Sequence, residues 1–176
     1  MKISYLAFKG KKDPKKNFKM KNSVRNYRKS PECEFQKWAR NEQKTLHNNI
    51  TRWHRKKDIQ VFKNMKPGGK WSDLSDTDRK KIGYSDKSFQ DKWKRLSNTE
   101  PSWTVVSHLA KDGYMYIHPT QNRTISVREA ARLQSFPDSF VFYGSRSAQF
   151  KQIGNAVPPL LAMAIAKHLK KILADK

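Results

Sequence analysis

One cysteine stands in the 176 residues, so no internal disulfide framework braces the chain. That residue, Cys33, lies in Pro31-Glu32-Cys33-Glu34, where two flanking carboxylates make a poor setting for a nucleophilic thiolate. A structural or incidental role is expected for it. Long apolar runs are missing too. The longest, Leu160 to Ala166, falls far short of the ~18 residues that a membrane-spanning helix needs. The apolar run near Met1 is too short for a secretory signal. A cytoplasmic or nucleoid-associated protein is the expectation. His47 and His54 lie seven apart, but no second cysteine or carboxylate joins them at ligand spacing, so no metal is expected. Acidic residues are scarce: 15 against 38 Lys and Arg, a net charge of +23 and a pI near 10.2. Such an excess favours a polyanion partner, because basic surface gains affinity by releasing phosphate counterions. A membrane surface is the weaker alternative, since neither a long basic amphipathic helix nor a lipidation signal is found. Hydrophobic residues make up 36% and the mean hydropathy is -0.94, which is polar for a self-sufficient core.

Three stretches follow one another. Residues 1–28 hold ten Lys or Arg against one Asp and form a basic extension expected to be mobile, which either adds nonspecific DNA affinity or solubilises the chain. From there to residue 120 the composition turns mixed, with Phe35, Trp38 and Leu46 as first core candidates. Arg52-Trp53-His54-Arg55-Lys56-Lys57 interleaves cations and aromatics. That suits phosphates and bases, or a solvated face with Trp53 tucked inward. A helix is predicted over Asp58 to Met65, ended by Pro67-Gly68-Gly69, and a shorter one over Ser75 to Ile82, stopped by Gly83. Phe89, Trp93 and Leu96 repeat at i, i+4, i+7 and predict another helix, with Lys92, Lys94 and Arg95 around it. The five tryptophans, spread from Trp38 to Trp103, read as core anchors rather than base-stacking platforms. Trp103 to Leu109 and Tyr114 to His118 alternate, and Asp112-Gly113 between them predicts a β-hairpin.

The densest patterning runs from Arg123 to Leu169. Ser126 and Glu129 form a capping box that should start a short helix carrying Arg128 and Arg132 one turn apart. Pro137 should end it. Gly154-Asn155 precedes Val157-Pro158-Pro159, with Asn155 a good helix N-cap and proline tolerated in a first turn. The last helix presents Leu161, Ile165 and Leu169 on one face, and Lys167, His168, Lys170 and Lys171 suit its C-terminal end.

RTISVREAARLQSFPDSFVFYGS followed by QFKQIGNAVPPLLAMAIAKHL resembles the last two conserved blocks of the DNA cytosine-5 methyltransferases. Upstream, KWKRLSNTEPSWTVVSHLAKDGYMYIHP resembles the end of that family's target-recognition region, and LHNNITRWHRKKDIQVFKNMKPGGKW its middle in one subgroup. The resemblance implies an α/β chain: an incomplete C-terminal part of a Rossmann-like S-adenosylmethionine-dependent methyltransferase with a small mixed helix and hairpin recognition lobe. It implies a target-recognition region over 29–120 and closing motifs over 121–176. By resemblance, Gly154, Asn155, Ala156 and Val157 complete an S-adenosylmethionine pocket. Thr104, in Pro101-Ser102-Trp103-Thr104, lies by the DNA backbone near the flipped cytosine. Arg128 and its helix support the recognition region and the DNA backbone, and Arg52, Lys56, Arg95 and Arg123 join the expected DNA contacts.

Methylation of cytosine carbon 5 also needs a thiolate, an acid at ring N3, a cofactor loop and a flipped base. The family's Phe-x-Gly-x-Gly, Pro-Cys-Gln, Glu-Asn-Val and Gln-x-Arg-x-Arg motifs do not occur here, so no catalytic residue is assigned. The chain is therefore expected to be inactive alone, a C-terminal fragment or subunit that binds double-stranded DNA and completes the cofactor pocket of a second chain carrying the catalytic cysteine. The Met1 start favours such a separate unit. A catalytically inactive remnant that only binds DNA is the alternative. A free-standing regulator lacks any helix-turn-helix, zinc or basic-zipper pattern. Some relatives act on tRNA, but the motifs here do not point to RNA.

Overall fold

The computed structural model describes residues 24–83 and 91–174. The basic extension therefore lies almost wholly outside the described residues, as does Phe89. The described chain is mixed α/β. A two-residue antiparallel pair joins β1 (Arg25–Asn26) to β2 (Thr45–Leu46), with Arg25 opposite Leu46. Six α-helices follow the expected patterning closely in places and depart from it in others.

Helix α1 (Glu34–Arg40) ends on Asn41 in the left-handed region and buries only Ala39. Phe35 stays exposed and Trp38 half-buried, so this helix lies at the edge of the core. Helix α2 (Lys56–Asn64) starts where Asp58 accepts from the Arg55 amide at 3.3 Å. Helix α3 (Asp76–Ile82) starts on the Ser75 hydroxyl, which accepts from the Asp78 amide at 3.2 Å. It stops at Gly83, whose φ of 77° a side chain would resist. Asn64 donates to Asp78 at 2.8 Å and ties the two helices together. Val61, Phe62, Met65, Trp71, Leu74, Ile82, Trp93 and Ile117 close the first core around them.

The second core gathers Leu96, Leu109, Met115, Tyr116, Ile125, Phe136, Phe142, Phe150 and Ile153 around α4 (Val127–Leu133) and α5 (Arg146–Asn155). It draws on residues from both sides of position 120 and is one packing unit there. The Ser126 capping box forms as the sequence predicts. The Glu129 amide donates to the Ser126 hydroxyl at 3.2 Å, and the Ser126 amide donates back to the carboxylate at 2.7 Å.

Two predicted elements do not form. Residues 103–118 make no hairpin; single 3-10 turns occupy Ser107–Ala110 and Gly113–Met115 instead. The cause is side-chain competition for the ladder's backbone groups. The Tyr116 hydroxyl donates to the Thr104 carbonyl at 2.6 Å and accepts from the Val106 amide at 3.2 Å. The Arg52 guanidinium takes the Leu109 and Ala110 carbonyls at 2.7 and 2.8 Å. The second alternating stretch is extended, but Ile117 bridges Arg95 in parallel and Thr124 in antiparallel pairing. That pairing also removes the helix predicted through Trp93 and Leu96, because Lys94 and Arg95 are drawn into extended bridges with Lys70 and Ile117.

Candidate functional site

Gly154 and Asn155 do not form the expected turn; they are the last two residues of α5. Asn155 consequently caps nothing ahead of it. The helix runs through because Gly154 lies against the turn at Ser107–Ala110. A Cβ there would fall 2.6 Å from the Val106 carbonyl oxygen and 2.9 Å from that of Ser107. Backbone on both sides leaves no room for a side chain. Ile153 anchors the same turn in the core, and buried Gln134 donates to the Ile153 and Ala156 carbonyls, each at 3.2 Å. Residues 156–158 are then extended, with Asn155 and Val157 facing solvent.

Helix α6 (Pro159–Ala174) leaves from this junction. Its Leu160 amide donates to the Ser135 hydroxyl at 3.1 Å. Beyond that residue no side chain of α6 is buried: Leu161, Ile165 and Leu169 are 52%, 50% and 52% exposed, and Met163, Ile172 and Leu173 are exposed as well. Apolar surface so continuous and so uncovered marks an interface.

The arginines predicted to meet DNA fall into the scaffold. Arg95, Arg123 and Arg128 are 5%, 4% and 1% exposed. Arg95 donates through one nitrogen to the Phe62 and Met65 carbonyls at 2.6 and 2.7 Å, closing the C-terminal end of α2, whose last carbonyls lack helical partners. Arg123 grips Glu129 with two bonds of 2.7 and 2.8 Å. Arg128 reaches the His47, Pro137 and Phe140 carbonyls and the Asn48 side chain. Arg52 lies half-buried, stacked 4.4 Å over the Phe150 ring, and burial lowers its pKa to about 10. The expected exposure to DNA is not what the structure shows for Arg95, Arg123 and Arg128, whose guanidinium groups are buried on protein acceptors, whereas half-buried Arg52 gives two of its five N–H donors to carbonyls. Burial pushes the Glu129 carboxyl up, yet the hydrogen bonds and charge of Arg123 outweigh it, and the pKa ends below its usual value.

Thr104 and Lys56 do face solvent. So does Trp53, which settles the basic-aromatic segment in favour of an outward indole, between Arg52 and His54, both anchored inward. Two groupings escaped the sequence. Arg132 and Arg128 converge on buried Asp138, at 2.5 and 3.8 Å, and the Tyr27 hydroxyl bonds the same carboxylate. Burial, then that bond, raises the Tyr27 pKa to about 12. Lys70 and Lys94 both lie against Trp103, at 5.6 and 5.5 Å from the ring centre. Each grouping needs one partner from far along the chain, Tyr27 in the first and Lys70 in the second. Among the described residues no cluster of three His, Cys, Asp or Glu side chains could hold a metal. No helix among them is long and apolar enough to cross a membrane.

The profile of the C-5 cytosine-specific DNA methylases matches residues 3–171. A protein of Oceanobacillus iheyensis, described as a candidate type II methyltransferase, is 40% identical over 190 aligned positions, which take in 90% of this chain. A type II methyltransferase of Thalassovita gelatinovora is 55% identical over 82 positions, 47% of this chain and 19% of its own. In fold, the chain is similar to a crystal structure of a candidate DNA modification methyltransferase from an E. coli prophage. The TM-score there is 0.59 at 24% identity, over 87% of this chain and 41% of that one. The chain likewise spans 41% of the length of the Oceanobacillus relative.

Proposed function

The chain belongs to the C-5 cytosine-specific DNA methylase family, and we propose that it serves as the C-terminal part of a DNA (cytosine-5-)-methyltransferase in a restriction-modification setting. In this reading it binds double-stranded DNA and closes the cofactor pocket of a Rossmann-like catalytic half carried on a second chain. S-adenosylmethionine, when bound, supplies the methyl group. The residues of this chain contribute one wall of its pocket. Asn155 and Val157 face outward at the α5–α6 junction, and Gly154 lets α5 approach the 107–110 turn closely enough to hold that junction still. The nucleophile and the acid at N3 come from the other half, because Cys33 lies exposed at the start of α1, far in sequence from the junction. Thr104 and Lys56 meet the DNA backbone, while Arg52, Arg95, Arg123 and Arg128 hold the frame that presents them.

The observation that carries this reading is α6. A helix with its apolar side chains beyond Leu160 in solvent is suited to being covered, and the family match supports a catalytic half as its cover. The test is transfer of tritiated methyl groups to duplex DNA. The chain is assayed alone and mixed with the portion of the Oceanobacillus relative that it does not span. Transfer only on mixing is the expected result. DNA binding without transfer, for that half and for any encoded beside this chain, would leave an inactive remnant instead.

A further inference from the structure

The antiparallel bridge between Lys70 and Lys94 sets two like charges directly opposite each other. Such pairs are destabilising in a ladder. Both backbones are fixed there: the Lys70 amide donates to Asp73 at 2.8 Å, the Lys94 amide to the Tyr114 carbonyl at 3.0 Å, and the Lys94 carbonyl accepts from Ile117 at 3.0 Å. The two ammonium groups then converge on one indole, Trp103, at 5.6 and 5.5 Å. An aromatic face attracts a cation, but it does not neutralise two. No carboxylate of the described residues forms an ion pair with either lysine; Asp73 is engaged by the Lys70 amide and the Ser72 hydroxyl. The next residue after the indole is exposed Thr104, whose carbonyl is held by Tyr116. The Lys70 charge is felt by Asp73, yet neither ammonium forms an ion pair among the described residues, and two such cations on a fixed backbone describe a seat for an anion.

We propose that Lys70 and Lys94, braced on Trp103, together seat a single phosphodiester of the DNA backbone beside Thr104. The proposal rests on the DNA-binding reading above and assigns it a place. Both ammonium groups face one phosphate, so they neutralise one charge between them rather than two.

The salt dependence of binding tests this. A fluorescein-labelled duplex is titrated with the full chain, and log K is followed against log salt by anisotropy. Neutralising one phosphate contributes about 0.9 to that slope. Lys70→Gln with Lys94→Gln should lower it by about 0.9 in all, and Lys70→Arg with Lys94→Arg should keep it. Lys63→Gln with Lys80→Gln, on the exposed faces of α2 and α3, serves as the control and should leave it unchanged. A fall of about twice 0.9 would mean two separate contacts, and an equal fall in the control would mean diffuse attraction; either overturns the shared seat, as does an unchanged slope in the Gln pair. Failure of the unsubstituted chain to bind DNA would overturn the DNA-binding reading itself, and the seat with it. Thermal melts of each variant confirm that the slopes compare folded proteins.

Discussion

Replacing Arg95 with alanine should cost the chain its stability before it costs any DNA contact. The guanidinium donates to the Phe62 and Met65 carbonyls at 2.6 and 2.7 Å, and to the His118 and Pro119 carbonyls at 3.0 Å each. It reaches the Gln121 carbonyl and the Asn122 side chain at 3.2 and 3.3 Å. One side chain thus fastens the end of α2 to the 118–122 turn. Each buried acceptor left without a donor costs about 1–3 kcal/mol. The Phe62 carbonyl keeps a bond from the Met65 amide at 3.3 Å, so the loss at α2 falls on the Met65 carbonyl and represents about 1–3 kcal/mol, against a total stability of roughly 5–15 kcal/mol for an ordinary domain. The longer bonds at the turn add less, since water can replace them. Lysine at this position should be intermediate, because one ammonium reaches the end of α2 without spanning to the turn. Urea unfolding followed by tryptophan emission reads the effect directly, with Trp93 buried in the same core. An unchanged midpoint in Arg95→Ala, combined with lost DNA affinity, would refute the argument and return the guanidinium to the surface.

Gly154→Ala should destabilise by about 1–3 kcal/mol, as overpacking does. The new methyl meets backbone carbonyls rather than yielding side chains, and a thermal melt would detect it. Leu161→Gln, Ile165→Gln and Leu169→Gln together should leave the melting transition nearly unchanged, since exposed sites contribute within about 0.5 kcal/mol each. They should abolish methyl transfer in the mixed assay, and a large stability loss would mean that α6 packs on this chain. Acid should weaken the fold between about pH 6.5 and pH 4. His54 and His118 are both pushed down to about 4, chiefly by burial, so both are neutral in the fold while the unfolded chain takes up protons below 6.5. Stability from these groups is complete above 6.5 and is lost as the pH falls towards 4. Protonation would also end the bond by which His54 Nε2 accepts from the Thr124 amide at 3.1 Å. His54→Gln should flatten that part of the urea midpoint against pH, and an unaltered profile would count against the assignment.

How much of this was legible in the sequence depends on how far away each partner lies. The cap of α4 sits within three residues of what it caps and forms as the sequence predicts. The same holds for Gly83, whose only demand is its own backbone angle. The missing hairpin shows the opposite case. Alternation from Trp103 to Leu109 and the Asp112-Gly113 turn are sound local signals, but Tyr116 and Arg52 satisfy those carbonyls from elsewhere. Helix α5 went unpredicted because its buried positions, Gln149, Phe150 and Ile153, include a polar residue that breaks the apolar period. The arginines are the sharpest lesson. Buried and surface guanidinium groups look identical in a sequence, and only long-range carbonyl partners separate them, as between Arg128 and His47.

That separation bears on how the charge of +23 works. Arg95, Arg123 and Arg128 have their donors turned inward onto carbonyls and a carboxylate, and Arg52 gives two of its own to the Leu109 and Ala110 carbonyls, so all four brace the lobe. In the proposed reading, attraction to DNA then falls to exposed lysines, which hold no fixed geometry unless something braces them, as Trp103 braces Lys70 and Lys94. The division also explains why the two ends of the described chain differ. Up to Ile153 most large hydrophobic side chains find cover within the described chain, Val24, Phe35, Trp53, Leu133, Phe140 and Tyr143 excepted. Past Leu160 none does, and an isolated helix of this length is marginal in water. In the proposed reading, the catalytic half covers α6 and stabilises it. Amide exchange along Leu161 to Ala174 should be fast in the chain alone and slow once the catalytic half is added, with exchange around Phe62 and Ile153 unmoved by the addition.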